Sequence, residues 1–238
     1  MAQLMLFLNN LKQLGMKSIY LFVLLCCTSS IYAQEITVEL DNFTQAEVTK
    51  GLKVKFSQAD ENKAIITGSS KDKVDLKVED GELKVSVTID HLWNEDNTIV
   101  NIYYKQLNKI EAKQNSSVEL CGKMKQPMLQ IRVQEGADIQ ANIDVENLYA
   151  SVVTGGNLMV IGNATKQDIE VNAAGDFKGE NLIGNEVEVR IVGGGTASVF
   201  SKSYINAKVR AGGTIYIYGK PSKIDEKTTF GGTIKKIN

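Results

Sequence analysis

From Gln34 onward, apolar and polar residues alternate along the chain. Ile36-Thr37-Val38-Glu39-Leu40 shows the pattern, as do Leu52-Lys53-Val54-Lys55-Phe56, Val74-Asp75-Leu76-Lys77-Val78 and Leu83-Lys84-Val85-Ser86-Val87-Thr88-Ile89. A period of two puts one side chain in a core and the next in water, which predicts β-strands. Asp80-Gly81 falls between two such runs and predicts a two-residue hairpin. The segment shows no 3.6-residue periodicity, so helices are not expected.

From about residue 107 a repeat takes over. One polar column reads Ser117, Asp138, Asn157, Asp176, Thr196, Thr214, Thr233, with spacings of 21, 19, 19, 20, 18 and 19. The preceding residue is always small: Ser116, Ala137, Gly156, Gly175, Gly195, Gly213, Gly232. The following residue is always apolar: Val118, Ile139, Leu158, Phe177, Ala197, Ile215, Ile234. Upstream, Ile131, Ala150, Ile169, Val189 and Ala207 form a second apolar column, and Val133, Val152, Val171, Ile191 and Val209 a third.

A turn of about 19 residues cannot bury its own apolar face, but stacking like on like does so, because neighbouring strands lie about 4.8 Å apart. The expected fold is all-β: a β-solenoid of the single-stranded, right-handed β-helix type over residues 107–238. Small residues at the corner allow positive φ and close contact between rungs. Stacked Asp, Asn, Ser and Thr can bond to corner backbone and to one another. The strands of 34–106, antiparallel or simply alternating, are expected to cap one end of the same domain. Asp225-Glu226-Lys227 and Lys235-Lys236 give the last rung polar character, as a terminal cap requires.

The N-terminus reads differently. Lys12 and Lys17 precede the apolar run Ile19–Cys27, then Thr28-Ser29-Ser30 and Ile31-Tyr32-Ala33-Gln34. This is the order of a secretory signal, with cleavage expected after Ala33 and Met16 a more typical start. The apolar run is far short of the roughly 20 residues that span a membrane, so no transmembrane span is expected after cleavage. Leu25 before Cys26, and Cys26 before Cys27, argue against a lipid anchor. The expected location is the periplasm or the cell surface. Cys121 is then the one remaining Cys, so no internal disulfide is expected, and burial is its simplest fate.

Composition narrows function mainly by exclusion. Lys plus Arg is 27 and Asp plus Glu 28, giving a net charge of −1 and no electrostatic case for nucleic acid. One His and three Cys offer little for His-based catalysis or zinc. His91 lies in a polar stretch with Asp90, Trp93, Glu95 and Asp96; a lone His makes no triad, and the acidic spacing fits no calcium loop. Cofactors and metals are therefore not expected. Candidate binding residues are aromatic: Trp93, and Tyr204, Tyr216 and Tyr218, the last two alternating with Ile215 and Ile217. The corner column is read as structural because it repeats. Two function classes follow. One is a non-catalytic envelope protein binding an unknown protein or glycan through an extended surface, with self-association through an open solenoid end as a compatible property. The other is a β-helical carbohydrate-active enzyme of polysaccharide lyase or glycosidase type, using Asp138 and Asp176.

At its corners the chain resembles the GIN domain family, the putative auto-transporter adhesin head domain of exported bacterial proteins. The matching pieces are Asp41-Asn42-Phe43-Thr44-Gln45-Ala46, Asp80-Gly81-Glu82-Leu83-Lys84-Val85, Glu135-Gly136-Ala137-Asp138 and Asn172-Ala173-Ala174-Gly175-Asp176. The resemblance covers nearly all of residues 36–237. It implies a β-helical fold, export, a Bacteroidetes-type source and an adhesin-like role, with no catalytic residues to carry over. Thr196, Thr214 and Thr233 depart from the family's Asp at that column.

Overall fold

The computed structural model describes residues 35–88 and 97–237. The expected export signal, and the stretch containing His91 and Trp93, lie outside the described residues. The described residues form one compact unit. Short strands come first: β1 (Ile36–Glu39), β2 (Gln45–Val48), β3 (Lys53–Gln58), β4 (Lys63–Thr67), β5 (Val74–Glu79), β6 (Glu82–Val87), β7 (Ile99–Tyr104) and β8 (Lys109–Ala112). Five long strands follow: β9 (Ser117–Val133), β10 (Asp138–Val153), β11 (Asn157–Asn172), β12 (Asp176–Val192) and β13 (Thr196–Arg210). β14 (Thr214–Tyr218), β15 (Lys223–Thr229) and β16 (Thr233–Lys236) close the chain. Among the described residues the only helical element is one 3-10 turn, Lys71–Lys73. The all-β solenoid is therefore observed.

Each long strand serves two sheets. The start of β9 pairs with β3 and its end with β8. The start of β13 pairs with β14 and its end with β15. Midway, the register shifts in the β9–β10, β11–β12 and β12–β13 pairs, and Gly122 and Gly162 take φ of 79° and 110°. There the chain passes from a first sheet to a second. All pairs from β8 to β16 are parallel.

The corners between rungs share one geometry. Two consecutive residues take left-handed φ: Gln114-Asn115, Glu135-Gly136, Thr154-Gly155, Ala173-Ala174, Gly193-Gly194, Ala211-Gly212 and Phe230-Gly231. The next residue is small because the preceding rung is in the way. A Cβ on Gly156 would stand 2.7 Å from the Val133 carbonyl oxygen, and one on Gly175 2.5 Å from that of Val152. The polar column then starts each strand, and its backbone N–H reaches the rung before, as Asp176 does to Gly156 at 2.9 Å. Register places Ser117, Asp138, Asn157, Asp176, Thr196, Thr214 and Thr233 side by side in one line.

The N-terminal strands extend the same two sheets, in an order unlike their order in the chain. β2 and β3 form a layer that pairs in parallel with β8 and β9 on one side and with β6 and β7 on the other. Antiparallel pairing is confined to the outermost strands: β4 on β7, β1 on β4, and β5 on β6. The last pair is the hairpin at Asp80-Gly81, with φ of 50° and 77°. One continuous apolar cluster runs from Phe43 to Ile217 between the sheets.

The C-terminal end is closed by charge. Register puts Glu226 beside Ala207 and Lys236 beside Ile217, both core columns. The two charged side chains meet across the end of the core at 2.9 Å. Inward charges on edge strands oppose further pairing. One expectation fails. Cys121 is half-buried, not a core residue. It follows Leu120, which points inward, so strand alternation turns the thiol to the outer side, beside Ser57.

Candidate binding surface

Outward residues of the second sheet stack in two columns set by register. One runs Lys109, Gln130, Tyr149, Asp168, Glu188, Asn206, Asp225. The other runs Glu111, Arg132, Ser151, Glu170, Arg190, Lys208, Lys227. Where β8 meets β9 the charges are paired. Glu111, only 7% exposed, meets Lys113 at 3.3 Å, Arg132 at 3.4 Å and Lys109 at 3.8 Å. Lys113 also meets Glu47 at 2.7 Å. Partial burial opposes the Lys113 charge, but Glu47 and Glu111 outweigh it and hold its pKa above the ordinary lysine value. Arg190 bonds Asp168 at 3.2 Å and Glu170 at 3.1 Å.

The aromatic candidates separate. Tyr216 and Tyr218 lie on β14 in the first sheet, half-buried, while Ile215 and Ile217 are fully inward. Tyr204 lies in the second half of β13, beside Glu186 and Lys223, and so on the other sheet. The three therefore do not make one strip; the crossing in mid-strand divides them. The Tyr204 hydroxyl donates to Asp225 at 2.9 Å, and Lys223 sits 5.0 Å from its ring centre. That bond raises the Tyr204 pKa and lowers that of Asp225. Lys235 lies 5.7 Å from the Tyr216 ring centre.

Tyr149, missed as a candidate, is 47% exposed. It faces Tyr204 across a groove of about 230 Å³, with Lys166, Asp168, Glu186 and Glu188 between them. Its signal was present in the sequence: Leu148 and Ala150 flank it, and both are inward. A second cavity of about 720 Å³ opens beside Asn42, Phe43, Asp60 and Lys105. There Asn62 ties Asp41, Asn42 and the Lys105 backbone together, so its polar atoms are spent on structure.

The corner column behaves as a structural device. Asp176 accepts a hydrogen bond from the Thr196 hydroxyl on the next rung and pairs with Lys178 at 3.2 Å. Asp138 stands one layer away from Asn157, which separates it from Asp176. The described residues contain no cluster of three His, Cys, Asp or Glu arranged to hold a metal. No helix among them is long and apolar enough to cross a membrane.

Two sheets wound around one core, with glycine-rich corners and a polar corner column, define a β-solenoid domain. Residues 42–221 match the family model described as "Putative auto-transporter adhesin, head GIN domain", and the chain belongs to that family. Solved structures share the fold. A putative adhesin from Bacteroides fragilis is 21% identical, with a TM-score of 0.78 over 86% of this chain and 97% of its own. A putative adhesin from Parabacteroides distasonis is 19% identical, with a TM-score of 0.71 over 86% and 96%. A putative lipid binding protein from the same species is 17% identical, with a TM-score of 0.67 over the same shares. No curated protein matches the chain significantly.

Proposed function

We propose that the protein is an exported, non-catalytic component of the cell envelope that binds a protein or glycan through the outer face of its second sheet. In this reading residues 1–33 are a cleaved export signal, 34–106 form the N-terminal layers, 107–238 the repeat, and 34–238 one GIN-type domain. The observation that carries it is register: outward residues of consecutive layers align into continuous columns from Lys109 to Asp225. A long flat target can engage several layers at once, and membership in an adhesin-head family supports that use. The commitment of Asp176 to Thr196 and Lys178 supports a structural reading of the corner column over an enzymatic one.

Protease treatment of intact cells carrying a tagged copy, with a lysed control, tests the location. Digestion in intact cells is expected for a surface adhesin. Protection until lysis would make adhesion untenable and leave a periplasmic partner. Incubation with acidic polysaccharides tests the chemistry: turnover abolished by Asp138→Ala or Asp176→Ala would overturn the non-catalytic assignment.

A further inference from the structure

The second sheet changes character at its C-terminal end. Register brings Arg190, Lys208 and Lys227 side by side on β12, β13 and β15. Like charges directly opposite on neighbouring strands are destabilising. Next to them Arg210 pairs in register with Val192 and Thr229. Arg190 is satisfied by Asp168 and Glu170. Lys208, Arg210 and Lys227 are exposed, and none forms an ion pair among the described residues. Asp225 feels Lys208 through space, but its carboxylate is held by Tyr204 and Lys223. Elsewhere on the outer surface Lys77, Lys84, Lys109, Lys113 and Arg132 have carboxylate partners.

A second cost falls at the same place. Phe230 is 82% exposed, at the corner position that Gln114, Glu135, Thr154, Ala173 and Ala211 hold on other rungs. Val192 is 44% exposed beside it. The cations and these two apolar side chains line one groove of about 430 Å³. Repelling cations in register and a solvent-facing aromatic ring are both unfavourable in the free protein. A ligand that brings anions to the first and an apolar face to the second would relieve both.

We propose that this groove binds a linear acidic glycan carrying a carboxylate on each sugar, laid along the solenoid axis. Lys208 and Lys227 stand on consecutive layers about 4.8 Å apart, with Arg210 beside Lys208 in the next column, so they present closely spaced sites to a polymer with regularly spaced charges. The C–H face of a sugar ring packs on the Phe230 ring. Three free cations beside only two apolar side chains favour this occupant over an acyl chain. The proposal rests on the binding role proposed above and names its ligand class.

The test is fluorescence anisotropy of the purified protein with labelled polygalacturonate oligomers. Neutral cello-oligosaccharides, an oligothymidylate and phosphatidylglycerol vesicles serve as comparisons. Polygalacturonate is expected to bind best, more weakly as salt rises. Lys208→Gln with Lys227→Gln should weaken it about tenfold, the scale of losing two exposed ion pairs. Phe230→Ser should weaken the glycan. Lys55→Gln, which removes a cation paired to Glu119 on the first sheet, should change nothing. Melting curves check that each variant folds. Preference for vesicles or for oligothymidylate would overturn the proposal. So would glycan binding indifferent to the Lys208 and Lys227 changes, although that outcome would leave the broader binding role standing. Loss of that role would instead appear as protection from protease in intact cells.

Discussion

The N-terminal layers and the repeat build the same two sheets by different chain paths. In the repeat each rung stacks on the one before it in sequence, and every corner is a left-handed pair followed by a small residue. In the N-terminal layers β2 and β3 are inserted between β6–β7 and β8–β9, and the outermost strands run antiparallel. Leu52 there occupies the place that a glycine, alanine or serine fills elsewhere, fully buried. The contrast shows that a solenoid surface depends on register between layers and not on sequential winding.

The largest expected effects test whether the two regions share one core. Phe56 lies in an N-terminal layer and Phe177 in the repeat, and both are fully buried. Replacing either by Ala should cost about 3–5 kcal/mol. In urea unfolding both variants are expected to shift the same transition. If Phe56→Ala moves only an early, separate step, the regions are independent.

Corner changes come next. Gly175→Val would drive its side chain into the Val152 backbone and should cost about 3 kcal/mol. Gly81→Ala at the hairpin meets nothing within 4 Å and carries only the strain of φ 77°, about 1 kcal/mol. Equal losses in thermal melts would contradict the packing argument at the corners.

The end cap should affect assembly more than stability. Glu226→Val with Lys236→Val continues the apolar columns of Ala207 and Ile217 to the edge. Light scattering should then show self-association absent in the parent. A variant no more associated than the parent would mean the charge pair does not guard this end.

The smallest effect is at the opposite end. Lys77 and Lys84 bond Glu79 on β5 and hold its pKa down to about 2. A depressed carboxyl pKa stabilises the fold above the unfolded value of 4.5 and loses that contribution as pH falls toward about 2. Because Glu79 is exposed, the effect is small and screened by salt. Carboxyl carbon shifts in NMR should follow titration near 2; a midpoint near 4.5 would mean the pair is not formed.

The repeat was legible because each rung announces itself with the same small–polar–apolar triplet, and a spacing near 19 fixes which residues align. The Asp80-Gly81 hairpin was legible because its turn chemistry is local. The placement of β2 and β3 was not, because their partners are set by non-consecutive pairing, and Lys50-Gly51-Leu52-Lys53 lacks the triplet. The separation of Tyr204 from Tyr216 was hidden for a related reason. The mid-strand crossing is marked by bulges and scattered glycines whose position shifts from rung to rung. The basic groove escaped notice because its cations come from three strands and are neutralised in the overall charge count.

The most direct test of the account is cross-linking across the non-sequential layer. In a Cys121→Ser background, Lys53→Cys with Ser117→Cys places two thiols on register partners of β3 and β9, about 4.8 Å apart along the stack. A short thiol cross-linker should join them efficiently. It should fail with Lys53→Cys and Asp138→Cys, which lie two layers apart. Efficient joining of the second pair, or none of the first, would contradict the stacking that aligns the outer face.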